Sequence, residues 1–172
     1  MLVKRLTFAV ALAVVSIAVA CSEGDGSKIM AQTPDKAAAD RSATEMQHAP
    51  EIKWGPAPPV FPPGAQFAVV QGDPSVPGAL FTVRLRFPND YILPPHTHPT
   101  DENVTVLRGT FLVGLGHDFS RDGLIALKDD GFITAPANMA HFATTHGITE
   151  VQVHAIGPFQ LTYVHPEDDP RK

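Results

Sequence analysis

At 172 residues, 44 % of them hydrophobic, the chain is long enough for one domain with a sizeable core and too short for two of ordinary size. Its net charge is −5, and two of the 13 basic side chains, Lys4 and Arg5, head an apolar leader; without it 11 basic residues face 18 acidic ones, a net of −7, which speaks against nucleic acid or anionic lipid headgroups as partners. The sequence contains no Gly-x-Ser-x-Gly, no cysteine pair and no phosphate loop, so a serine hydrolase, a dithiol redox enzyme and a nucleoside triphosphatase are unsupported.

Residues 1–20 have the layout of an export signal: the charged pair, the apolar run 6–20, and Ala18-Val19-Ala20 as a small-residue cleavage site. The run is too short to span a bilayer comfortably. Cys21, the only cysteine, follows directly. A lone cysteine forms no internal disulfide, and the segment resembles a bacterial lipoprotein signal, in which this residue becomes the acylated first one. The resemblance implies an exported periplasmic or cell-envelope protein that touches membrane only through a lipidated Cys21. A secretory signal cut at the same bond, giving a soluble secreted protein, is the alternative. Residues 21–50 lack aromatic side chains and read as a disordered tether that includes His48, which leaves residues 51–172 as the folded domain.

Seventeen prolines and thirteen glycines predict a turn-rich, all-β domain. Trp54, the only tryptophan, is expected to plug one barrel end, and the proline-rich residues 56–63 to run extended. Strands are predicted over residues 66–71 and 80–87. The second alternates cleanly, with Phe81, Val83, Leu85 and Phe87 on one face and Thr82, Arg84 and Arg86 on a solvated one. Pro88-Asn89-Asp90 turns the chain. Residues 103–108 and 111–115 then read as two strands joined by a turn at Gly109, and 124–127 and 132–134 as short strands around the turn at residues 129–131. After Gly147 turns the chain back, the last strands are 150–156 and 159–164, broken at Gly157-Pro158. Many short strands without a long helix mean a sandwich or jelly-roll barrel.

The stretch that carries chemistry is Pro94-Pro95-His96-Thr97-His98-Pro99-Thr100-Asp101-Glu102. His96 and His98 are two apart, so an extended backbone sends both side chains to one face, as two ligands of one ion require. A short loop over residues 99–101 can fold Glu102 back to the same point, and His141 can supply a fourth ligand from a neighbouring strand. Three imidazoles and a carboxylate suit a borderline divalent metal. His154 is either an acid/base or donor facing the pocket, or a satisfied core or surface histidine. His117, His146 and His165 are expected to face solvent.

This arrangement resembles the cupin superfamily, whose motifs read G-x5-H-x-H-x(3,4)-E-x6-G and G-x5-P-x-G-x2-H-x3-N. His96, His98, Glu102 and Gly109 match the first, and Pro136 and His141 the second; Asp90, Asp130 and Asn138 stand at glycine positions, and Thr145 at the final asparagine. The resemblance implies a single-domain jelly-roll β-barrel of two antiparallel sheets with one divalent transition metal (Fe, Mn, Zn, Cu or Ni) at its mouth. From the alternation, Phe111, Val113, Phe142 and Phe159 are expected in the apolar wall. It further implies a small-molecule ligand or substrate, and pairing of two copies through edge strands. Dioxygenase-type oxidation of a small oxygenated molecule is the commonest outcome in the family, with Glu102 doubling as a base. A non-catalytic binder and a Lewis-acid lyase or isomerase are the alternatives.

Overall fold

The computed structural model describes residues 51–172, so the leader, Cys21, the tether and His48 lie outside the described residues. Nine strands form: β1 (Gly55–Pro56), β2 (Gln66–Gln71), β3 (Leu80–Phe87), β4 (Ile92–Thr97), β5 (Glu102–Leu115), β6 (Ile125–Leu127), β7 (Phe132–Ala135), β8 (His141–Ile156) and β9 (Thr162–Tyr163), followed by a 3₁₀ turn at Pro166–Asp168. All pairings are antiparallel. One half of β8 pairs with β3 and the first half of β5, which also pairs with β7; β2 and β1 extend this layer. The other half of β8 pairs with β4 and the second half of β5, with β9 and β6 at the edges. The result is the expected double-sheet jelly roll in which β5 and β8 belong to both layers.

The turns expected at Gly109 and Gly147 are corrected. Both strands run on through these residues, and the β5–β8 register slips between Val106 and Arg108 and again between Arg108 and Thr110. Gly109 and Gly147 take φ of 90° and 75°, so each bends its strand without ending it, as a bulge does. The consequence reaches the far end of the barrel. Because β5 folds over at its middle, its first residue, Glu102, contacts His141, and its last, Leu115, pairs with the same residue.

Gly109 has no room for a side chain. A Cβ there would lie 2.5 Å from the Ile148 carbonyl oxygen and 2.8 Å from Thr149 Oγ1. The three motif glycines that are replaced behave otherwise: Asp90, Asp130 and Asn138 are the only described non-glycine residues with positive φ, at 56°, 68° and 62°. Asp and Asn are the side chains that tolerate this region best. Left-handed turns can therefore be built with them, whereas the crowded bend keeps its glycine. Gly109→Ala is expected to cost about 3 kcal/mol, combining backbone strain and overpacking; Asn138→Gly should stay within about 1 kcal/mol. Urea midpoints of the two variants check this.

Phe81, Val83, Leu85 and Phe87 all point into the core, as their alternation predicts, and meet Val104, Val106, Val151 and Val153 there. Arg84 and Arg86 lie on the outer face against Gln152 and Glu150. Trp54 is not a barrel plug: it packs beneath the Arg86 guanidinium, 4.1 Å from its ring centre, on that same face. Phe61 takes the inner position instead. The segment 56–63 does not run extended, because Phe61 N–H bonds back to the Pro58 carbonyl and Phe61 enters the core at 4 % exposure. Tyr91 and Tyr163 hold this loop by donating to the carbonyls of Pro62 and Val60. The final strand is also shorter than expected, reduced to Thr162–Tyr163.

Candidate metal centre

His96 lies near the end of β4, opposite His141, and His98 follows one residue after the strand. Their two-residue spacing does what the sequence implied: both rings enter the barrel, 1 % and 4 % exposed, and His141 joins them at 6 %. The ring centres of His96 and His141 are 4.3 Å apart, those of His96 and His98 5.0 Å, and one nitrogen from each of the three lies within 4.8 Å of the others. Glu102, the first residue of β5, brings Oε2 to 3.4 Å from His98 Nε2 and 3.6 Å from His141 Nε2. Ligands of one ion held at about 2.1 Å stand roughly 3 Å apart, so small adjustments complete such a set.

The tautomers are settled by the backbone. Each Nδ1 faces a carbonyl: His96 that of Pro94 at 2.7 Å, His98 that of Gln160 at 2.7 Å and His141 that of Met139 at 3.0 Å. A carbonyl only accepts, so each Nδ1 carries the hydrogen and donates it, and the Nε2 lone pairs are left for a ligand role. His98 Nε2 is fully buried and makes no hydrogen bond. A buried acceptor without a donor is costly, and a cation shared with His96 and His141 satisfies it. The loop bearing His141 is tied to the loop bearing His98 through Asn138 N–H to the His98 carbonyl and Ala137 N–H to Asp101 Oδ1. Phe159 stacks on the His98 ring at 5.6 Å and 9°.

The charges agree with a ligand set. Burial, with the neighbouring His141 and His98 rings, pushes His96 down to about 3, so it stays neutral. Burial pushes Glu102 up, but the rings of His98 and His141 outweigh it and hold the carboxyl at about 2, ionised. Burial lowers His141, and the Glu102 carboxylate more than reverses this, leaving it raised. The Glu102 carboxylate therefore favours positive charge on the His141 side of the cluster, as a bound cation would supply.

These residues close one end of a cavity of about 30 Å³, room for roughly two waters. Of the 18 residues lining it, only His96, His98, Glu102 and His141 are polar. Phe111 and Val113 are in the wall as expected. Phe142 is not: it faces away and packs on Phe119, its ring filling the space over Gly114. His154 is not brought to the site either. Its neighbours Val151, Val153 and Ala155 take the inner face of β8, which turns His154 outward, exposed and bonded through Nδ1 to Thr82 Oγ1. It is the satisfied surface histidine of the two alternatives. Leu115, absent from the predicted wall, does line the cavity; its place at the end of a run of alternating residues was the available signal.

No family model and no curated protein matches the sequence. Solved structures do match. The polyketide cyclase RemF from Streptomyces resistomycificus is 16 % identical with a TM-score of 0.57, over 73 % of this chain and 88 % of that one. A candidate acetylacetone dioxygenase from Methylibium petroleiphilum PM1 is 20 % identical with a TM-score of 0.57, over 73 % and 84 %. An RmlC-like cupin from Shewanella frigidimarina is 13 % identical with a TM-score of 0.51, over 64 % and 87 %. At such identities the likeness is one of fold.

Proposed function

We infer that this chain, which has the fold of the cupin superfamily, holds one divalent transition metal on His96, His98, His141 and Glu102 and acts on a small oxygenated molecule, with dioxygenase-type oxidation as the first reading. The observation that carries it is the set of three backbone-aligned imidazoles, one nitrogen of each within 4.8 Å of the others, beside an ionised carboxylate. An ion bound there supplies Lewis acidity toward a carbonyl or hydroxyl oxygen and, where it is redox-active, a route to O2 chemistry.

The chain's own residues have simpler tasks. The aliphatic and phenyl walls exclude water and leave an entering molecule no polar partner but the four site residues. Glu102 is the only carboxylate lining the cavity and is ionised, so it is the group that can accept a proton from a C–H or O–H brought to Oε2. Lyase or isomerase chemistry would use the same residues without O2. One observation favours a second reading, binding without turnover: no acid or base other than the ligand set faces the cavity.

Elemental analysis of protein purified without chelator or metal column separates these. Near-stoichiometric iron, copper, manganese or nickel together with substrate-dependent oxygen uptake is the expected result. Zinc alone moves the assignment to Lewis-acid chemistry or binding, and failure to hold any metal after reloading sinks it. The apolar leader and Cys21 support a further proposal, that the protein is exported and acylated at Cys21; the mass of the mature N-terminus tests it. Pairing of two copies through an edge strand is likewise proposed, with light scattering as its test.

A further inference from the structure

The residues lining the cavity are buried except for two: Leu115, 56 % exposed, and Ile133, half-buried. Leu115 ends β5 opposite His141, so the residue at the opening sits one strand away from a metal-site histidine. Its backbone is held on both sides. The Phe142 ring lies 2.2 Å from where a Cβ of Gly114 would be, and Gly116 N–H donates to the Ala140 carbonyl. Leu115 both lines the apolar cavity and reaches solvent, so its side chain is the surface an entering apolar body meets.

The lining also states what the occupant lacks. Apart from the four site residues no polar side chain lines the cavity, so a sugar or a polyacid would bury more polar groups than it finds partners for. We propose that Leu115 is the specificity-determining residue of this site, limiting it to small molecules that turn an oxygen toward the histidines and a short apolar body toward Leu115. This rests on the metal reading above and narrows its substrate class.

The test uses cobalt(II)-loaded protein and two probes with one chelating head and different bodies, acetohydroxamate and benzohydroxamate, followed by the visible absorption of the ion. Cobalt content is measured on the same samples. Wild type is expected to prefer acetohydroxamate. Leu115→Ala should shift the ratio of affinities toward benzohydroxamate by about tenfold or more, the scale set by removing methylenes from a pocket wall. Leu115→Val, which keeps strand propensity, should shift it part of the way. Ile125→Ala removes an exposed residue of the same sheet that does not line the cavity, and should leave the ratio unchanged. Full cobalt with an unchanged ratio in both Leu115 variants overturns the role of Leu115, and wild type that holds cobalt but takes neither probe overturns the substrate class. Wild type that holds no cobalt overturns the metal reading, and this proposal with it.

Discussion

His98→Ala and His141→Ala are each expected to lower metal affinity more than about 100-fold, because removing a group that merely orients a ligand already costs roughly 10–100-fold. Chains purified from the same medium should carry near-stoichiometric metal as wild type and almost none as either variant. His146→Ala is the internal control. His146 belongs to the same strand as His141 but is exposed, opposite Thr110 near the bend. Circular dichroism distinguishes a lost ligand from a lost fold, since each alanine also leaves a void among buried side chains. Glu102→Gln separates two roles: it keeps the shape and removes the charge that raises the His141 pKa. If all the histidine variants hold metal as wild type does, the site lies elsewhere.

Much of this centre was legible because local rules govern it. A two-residue spacing on extended backbone sends His96 and His98 the same way in any sheet, and the three-residue loop before Glu102 leaves its carboxylate little choice. Phe81 to Phe87 gave the inner face of β3 for the same reason. What escaped was decided by contacts distant in sequence. Gly109 and Gly147 look like turns locally, yet β5 and β8 pair along almost their whole lengths, and that pairing carries both strands through the bends. Trp54 has a large apolar ring and suggested a plug, but Arg86 on the outer face offered it a cation. His154 and Phe142 each stand one residue from an inward-facing neighbour, where an error of one position reverses the side. Asp90, Asp130 and Asn138 broke the glycine pattern without breaking the turns, since left-handed backbone is what those positions require.

Metal-free protein should lose stability steeply as pH falls below about 6.5. The ordinary pKa of 6.5 applies to His96 in the unfolded chain, whereas in the fold it is held at about 3 by burial and by the His141 and His98 rings. Between these values the unfolded state binds a proton that the folded state refuses, so stability is highest above 6.5 and is lost toward 3. The slope for one such group approaches about 1.4 kcal/mol per pH unit. Glu102, depressed from 4.5 to about 2, adds a second loss below 4.5 as the unfolded carboxyl takes up its proton. His141 has the opposite sign: its raised pKa stabilises the fold fully below 6.5, and that contribution fades as the pH rises through the raised value. It is therefore constant across the window where His96 acts and cannot mask it. Urea unfolding at pH 6.5, 5.5 and 4.8 should show the decline in wild type and a much flatter line in His96→Leu, which puts an apolar side chain where a neutral imidazole was needed. With metal bound the decline should steepen, because ligating imidazoles must be neutral and acid protonates them by expelling the ion. Equal slopes in wild type and His96→Leu would mean that His96 is protonated in the fold, and an imidazolium cannot be a ligand.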